Sequence, residues 1–234
     1  MEWTMSDLGN ETEPVQQTEG LSCEPSFASL DGETVLVYGD PVETGEKLDD
    51  LQGDNYYDFQ GDCGLVSVTN LLTMAGVEGV TENDVVGLAI RYRCCEFSNL
   101  NDSSENGGTT AVQRWRLMQM FGIDATIFAN DAPQASLECL ADYVESGRGV
   151  NLGLNAGYAW GDPNYIQDGV ANHSVVLTGT CRDPETGELK GFFLCDSGAP
   201  NGSGEAMYLS AEQMEQAYLH AYGATALVTD QPIR

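Results

Sequence analysis

The order in which two hydrophobic periodicities follow one another most limits what this chain can build. From residue 63 to residue 146 the apolar side chains recur mainly at helical spacing, and from residue 149 to residue 229 they fall mainly into short β-type runs. Helices gathered first and strands later make an α+β order, with no βαβ alternation to suggest a doubly wound parallel sheet. A first helix is predicted over Cys63–Met74, where Leu65, Val66, Val68, Leu71, Leu72 and Met74 share a face and Gly76 follows as a stop. Thr81 with Asp84 forms a capping box for a second helix to about Arg93, and Thr110 caps a third that runs to Gly122. A fourth is expected from about Gln134 to Ser146, and a fifth, opened by Ser210 and Gln213, to about Ala221. Strands are predicted over Glu33–Tyr38, Asp124–Ala129, Gly149–Leu154, Ser174–Thr178, Leu189–Cys195, Met207–Leu209 and Ala224–Thr229. Residues 41–60, 97–108 and 155–171 read as loops.

With 234 residues, 41% of them hydrophobic, the chain has material for one sizeable core or two small ones. Residues 1–31 are polar, acidic and without period, so they are expected to form a flexible lead-in to a folded domain over 32–234. Among the first 60 residues, 15 are acidic and one, Lys47, is basic. Over the whole chain 37 acidic residues against 9 basic ones give a formal charge of −28, which repels nucleic-acid phosphates and anionic lipid surfaces and excludes both as expected partners. No basic segment followed by an apolar one resembles a signal peptide, and no apolar run approaches the roughly 18 residues of a membrane span. The expectation is no membrane insertion, with residence in the cytoplasm or export without a recognisable signal.

Seven cysteines, at 23, 63, 94, 95, 139, 181 and 195, contain no CxxC pair, and the chain has only two histidines, His173 and His220. Zinc-site spacing is therefore absent, and neither a metal nor a cofactor is expected. An odd number of cysteines in a chain too large to need disulfide staples fits reduced thiols. Cys63 stands in the first turn of the first helix, before Gly64, where unpaired N–H groups and the helix dipole favour a thiolate; the other reading is a cysteine that simply fills a core site. His173 comes just before a strand, and Asp196 just after the next one, so an antiparallel hairpin brings them together and lets the carboxylate orient the imidazole. His220 reads as structural, and Arg91, Arg93, Arg114 and Arg116 as salt-bridging residues.

Taken together, Gln60-Gly-Asp-Cys63-Gly64, then Asn172-His173-Ser-Val-Val-Leu-Thr-Gly179, then Phe-Leu-Cys-Asp196-Ser-Gly198 resemble the motifs of papain-like cysteine peptidases. Among these they are most similar to the bacteriocin-processing, double-glycine leader peptidases and their stand-alone bacterial relatives. The resemblance covers about residues 55–229 and implies a helical half, with the catalytic Cys at a helix N-terminus, packed on a C-terminal antiparallel sheet. It also implies Cys63 as nucleophile, His173 as acid and base, Asp196 as its orienting carboxylate and Gln60 as an oxyanion donor. Two departures stand out: the family's oxyanion Gln lies about six residues before the Cys, where this chain has Tyr57, and Ser197 replaces the usual Pro after the Asp. Gly64, Asn172, Tyr158 and Trp160 are the candidate substrate contacts, with Tyr165 beside them; Asp62 is read as a helix cap only.

The implied reaction is attack of the Cys63 thiolate on a carbonyl, protonation of the leaving amine by His173, and hydrolysis of the acyl-thioester, with a peptide or protein as substrate. The same triad would serve a deamidase or acyl transferase, and a non-catalytic peptide-binding relative would keep it without turnover.

Overall fold

In the computed structural model, which describes residues 24–48, 51–99, 101–199 and 206–234, the chain runs β1 (Ser26–Leu30), β2 (Glu33–Tyr38), α1 (Pro41–Lys47), α2 (Cys63–Met74), α3 (Glu82–Tyr92), α4 (Ala111–Met120), β3 (Ala125–Ala129), α5 (Leu137–Glu145) and β4 (Arg148–Leu154). It continues through α6 (Ala156–Trp160), β5 (His173–Arg182), β6 (Leu189–Cys195), β7 (Met207–Ser210), α7 (Ala211–Met214, prolonged by a π turn over Glu215–Leu219) and β8 (Thr225–Pro232). Among the described residues these strands form one sheet in the order β1-β2-β5-β4-β8-β3, with every pair antiparallel and β6 and β7 branching from β5. The long β5 makes the branch possible. Residues 173–177 pair with β4 and residues 180–182 with β2 along one edge, and β6 takes the other edge.

Alternation along the strands gives the sheet two apolar faces. Val175 and Leu177 lie with Leu152 of β4, Val228 of β8, Leu140 and Val144 of α5, and Tyr218, in one core. Val176 and Leu227 point the other way, into a core built with Leu65, Val68 and Leu72 of α2, Val85 and Val86 of α3, and Leu117 and Met118 of α4. From Gly64 to Leu72 every residue of α2 is buried, so this helix is enclosed by the sheet on one side and by α3 and α4 on the other. Its polar members are bonded locally: Thr69 Oγ1 donates to the Leu65 carbonyl at 3.1 Å, and Ser67 meets Ser174 Oγ at 3.1 Å. Asn151 Nδ2 also donates to Ser174 Oγ, at 2.7 Å, tying α2, β4 and β5 at one point near the end of the sheet. Leu152, fully buried between β4's neighbours, is expected to cost about 3 kcal/mol on replacement by Ala, measured as a lowered denaturant midpoint at unchanged slope.

Three expectations are corrected. The lead-in was expected to reach residue 31. Its first 23 residues lie outside the described residues, but Ser26–Leu30 form β1, which pairs with β2 across Asp31 and Gly32. Both turn residues have positive φ, as a type I′ hairpin requires, and the strand is held by backbone pairing rather than by buried side chains, so it carries no hydrophobic period. Residues 41–47, expected as loop, are α1: Pro41 occupies the first turn, Asp40 caps Glu43 N–H at 2.9 Å, and Lys47 pairs with Glu43 at 2.7 Å. The segment 155–171, also expected as loop, contains α6, capped by the Asn155 side chain. Among the described residues no helix is long and apolar enough to cross a membrane.

Candidate active site

The start of α2, the start of β5 and the end of β6 meet at one edge of the sheet. Pairing of β5 with β6 places Val176 opposite Cys195, which brings His173 and Asp196 to the same end of the hairpin. His173 Nε2 lies 2.5 Å from Asp196 Oδ1, and the pair is inside the protein, with residues 7% and 2% exposed. Cys63 lines the same cleft as His173, and the charge and hydrogen-bonding capacity of the imidazole act on its thiol. Cys63, His173 and Asp196, three residues distant in sequence, thus form one continuous chain of contacts.

Electrostatics distribute the proton along that chain. Burial pushes the Cys63 thiol up, but the His173 charge and hydrogen bond, the Arg114 charge and the Ser174 N–H together hold it below its ordinary value. Burial alone would lower His173; Asp196 and Cys63 outweigh it and push the imidazole up to about 10. Asp196, raised by burial, is brought below the usual carboxylate range by His173, by Trp160 and by the Gly198 N–H. All three shifts act in the direction of a thiolate beside an imidazolium, with the carboxylate ionised behind it. Cys94, Cys95 and Cys181 behave oppositely: burial raises Cys94 and Cys181 and, with nearby negative charge, pushes Cys95 up to about 11.

Trp160 was expected to touch substrate. It instead closes the back of the site: its Nε1–H donates to Asp196 Oδ2 at 2.7 Å, and its ring packs on the imidazole at 5.1 Å between centroids. Tyr165 stacks edge-on against Trp160 at 4.9 Å. This placement shields the ionic hydrogen bond from water, because α6 turns the ring inward from a segment rich in small residues. Tyr158, on the same helix, lies outside the residues that line the cleft.

Gln60 is also displaced from its expected role. It is exposed, its amide reaches back to the Gly53 carbonyl at 3.4 Å, and it does not line the cleft. The physical reason is the loop 51–60, which is pinned by Asp62. The Asp62 carboxylate makes no capping bond to α2; it accepts from Gly53 N–H and Asn55 Nδ2, both at 3.0 Å, and burial raises its pKa, an effect reduced by Glu82 and these donors. A different amide approaches the imidazole. A Cβ built on Gly198 would stand 2.6 Å from Gln52 Oε1 and 2.9 Å from His173 Cε1, so Gln52, Gly198 and the ring edge meet.

A cleft of about 530 Å³ opens beside the sulfur, lined among others by Gly61, Cys63, Thr109, Arg114, Gly153, Asn172 and His173. Asn172 reaches it while its side chain holds the loop, accepting from Ala156 N–H at 2.9 Å and donating to the Tyr165 carbonyl at 2.7 Å. Gly64 sits behind the wall: a Cβ there would meet Thr109 Oγ1 at 1.9 Å and Arg114 Cδ at 3.2 Å, so only a bare Cα fits. Arg114, expected in a salt bridge, is instead buried beside Cys63. A signal for it exists in the sequence, since Arg114 shares the inward stripe of α4 with Leu117 and Met118. His220 is exposed and 3.8 Å from Glu215, far from the site's chain of contacts. Among the described residues no group of three or more His, Cys, Asp or Glu is placed to hold a metal ion.

No family model matches the sequence. The chain is 30% identical over 210 residues to the uncharacterized protein Rv1268c of Mycobacterium tuberculosis and to the uncharacterized protein Mb1299c of Mycobacterium bovis, covering 82% of this chain and 84% of each relative. It belongs to their family. Among solved structures the fold is similar to that of UfSP from C. elegans, with a TM-score of 0.50 and 11% identity over 90% of this chain. The chain spans 35% of the length of that UfSP chain, so the likeness concerns the fold alone. The architecture that this family member adopts is papain-like: a helical layer, led by α2, packed on an antiparallel sheet.

Proposed function

We propose that the protein is a cysteine peptidase that cuts peptide bonds through Cys63, His173 and Asp196, related through its Asp-Cys-Gly and His-Ser-Val-Val motifs to the double-glycine leader peptidases. The observation that carries the reading is the buried His173–Asp196 pair beside the half-buried Cys63, with Cys63 and His173 both at the wall of one cleft. The thiolate attacks the scissile carbonyl, and the S–C bond forms as the carbonyl π pair moves to oxygen. When that oxyanion collapses the C–N bond breaks, and the proton on His173 Nδ1 goes to the leaving amine. Water, giving a proton back to His173, then releases the acid and the thiolate. The Asp62 side chain makes no capping bond to α2, and its carbonyl takes the Leu65 and Val66 N–H groups, so the Cys63 and Gly64 N–H groups are the ones proposed to receive the oxyanion.

The sign of the pH dependence follows from the two shifts. The active ion pair forms as pH rises through the lowered Cys63 value and is lost as pH passes the raised His173 value of about 10, so activity rises on the acid side with the thiol and falls on the alkaline side with the imidazole. Iodoacetamide at pH 6 is expected to alkylate Cys63 well ahead of Cys94, Cys95 and Cys181, whose thiols remain protonated there. Mass spectrometry of a peptide mixture incubated with the protein then separates the chemistries: shortened peptides support the peptidase, and a changed mass at intact length assigns a deamidase or transferase. Equal alkylation of the four thiols would leave the triad without its ion pair and defeat the proposal.

A further inference from the structure

Among the described residues, three Lys or Arg side chains pair with carboxylates. Arg182 gathers Glu138 at 3.1 Å and Glu145 at 2.6 Å, with Asp142 at 4.0 Å, and Lys190 lies 3.8 Å from Asp183. Arg114 is not one of these three. Its residue is 5% exposed, and among the described residues it pairs with no carboxylate. Nη1 donates to the Thr109 carbonyl and to Thr109 Oγ1, both at 3.2 Å, whereas Nε is buried without a partner and Nη2 makes no hydrogen bond among the described residues. Those two nitrogens lie on one edge of the guanidinium, the edge that takes a carboxylate side-on through two parallel hydrogen bonds.

The cleft around this edge is built in the same sense. Among the described residues no Asp or Glu lines it, and its charged groups are Arg114 and the His173–Cys63 pair. Small residues keep the space beside the guanidinium clear: a Cβ on Gly153 would stand 3.6 Å from Nη2 and 3.3 Å from Thr225 Oγ1. The net charge of −28 slows the approach of any anion from solution, so recognition of one depends on contact inside the cleft.

We propose that Arg114 makes the cleft a carboxylate-binding site, so that the preferred substrate carries a carboxylate, either a Glu or Asp side chain or its own C-terminus, next to the scissile bond. This deepens the peptidase reading and rests on it for the word substrate, but the site itself is testable without turnover. In the full-length protein, alkylation by iodoacetate, which carries the carboxylate, is compared with alkylation by neutral iodoacetamide at Cys63, using Cys139 as the reference thiol in the same molecule. The iodoacetate-to-iodoacetamide rate ratio at Cys63 is expected to exceed that at Cys139 by about tenfold or more, to fall about tenfold in Arg114→Gln, and to survive largely in Arg114→Lys. Comparison of the variants isolates Arg114 from the imidazolium, which also attracts the anion. A ratio at Cys63 equal to that at Cys139, or unchanged in Arg114→Gln, overturns the proposal. Should Arg114→Gln fail to unfold cooperatively, the wild-type ratio against Cys139 decides.

Peptides then assign the source of the carboxylate. A preference for Glu over Gln beside the cut supports a side chain, and a preference for a free over an amidated C-terminus supports the terminal group. Cleavage with neither preference overturns the proposal. No cleavage at all, with the iodoacetate preference intact, removes the peptidase reading and leaves the carboxylate site standing.

Discussion

Replacement of His173 by Ala is expected to lower kcat/KM for peptide cleavage by about 10³- to 10⁴-fold, while the protein still folds. The imidazole supplies two things at once. Its positive charge and hydrogen bond are the largest of the effects that bring the half-buried Cys63 thiol below its ordinary value, and its proton is what the leaving amine takes. Without it, burial raises the thiol, and at neutral pH the sulfur is protonated and a poor nucleophile. The alkylation rate of Cys63 at pH 6 is therefore expected to fall together with turnover, and to recover as pH rises toward the range of an ordinary buried thiol. A variant that kept fast alkylation at pH 6 would show that the ion pair is not the source of reactivity. Cys63→Ser provides the matching control, with the imidazole intact and no thiolate to form.

Replacement of Asp196 by Ala is expected to cost about a hundredfold or more in kcat/KM and to move the alkaline limit of the pH profile downward. Burial lowers the His173 pKa, and Asp196 is the largest of the effects that raise it to about 10. Removing the carboxylate leaves burial less opposed, so the imidazolium loses its proton at lower pH, and activity that persists in wild type above neutrality is lost earlier. Asp196→Asn, which keeps a hydrogen-bond acceptor for His173 without the charge, is expected to retain more of kcat/KM but to shift the alkaline limit in the same direction. Measuring kcat/KM from pH 5 to pH 10 separates these outcomes. An unmoved alkaline limit in both variants would mean that Asp196 packs against the ring without governing its charge. The indole of Trp160, bonded to the same carboxylate at 2.7 Å, belongs to this argument: Trp160→Phe keeps the shielding ring and removes only the donor, so a shift smaller than that of Asp196→Asn is expected.

The elements that were legible in the sequence are those whose local chemistry and tertiary role agree. The helix Cys63–Met74 has the predicted bounds, because its apolar residues, the glycine after it and its burial between sheet and helices all favour the same conformation. The capping boxes at Thr81 and Ser210 and the cap at Thr110 are present as read, since they are local bonds that need no distant partner, and Gln113 completes a box at Thr110 as well. β1 was not legible: its exposed side chains carry no period, and it exists through backbone pairing to β2. The catalytic candidates split the same way. Cys63, His173 and Asp196 stand at element ends, where hairpin register alone brings two of them together. Gln60 and Trp160 lie in segments whose paths depend on long-range bonds, from Asp62 to the 53–55 turn and from Trp160 to Asp196, and no spacing rule anticipates those.

From the sequence alone came the α+β order, the thiol at the mouth of a helix and the acidic surface, because hydrophobic period, capping chemistry and formal charge are properties of neighbouring residues. Only the tertiary structure decided which charge stands beside the sulfur. Arg114 is one of nine basic residues in an acidic chain, and although its place on the inward stripe of α4 points to burial, nothing in the residues around it distinguishes a guanidinium paired with a carboxylate from one held without a carboxylate at the cleft. That difference depends on burial and on which strands pass in front of α4, both of which are settled by packing between segments far apart in the chain.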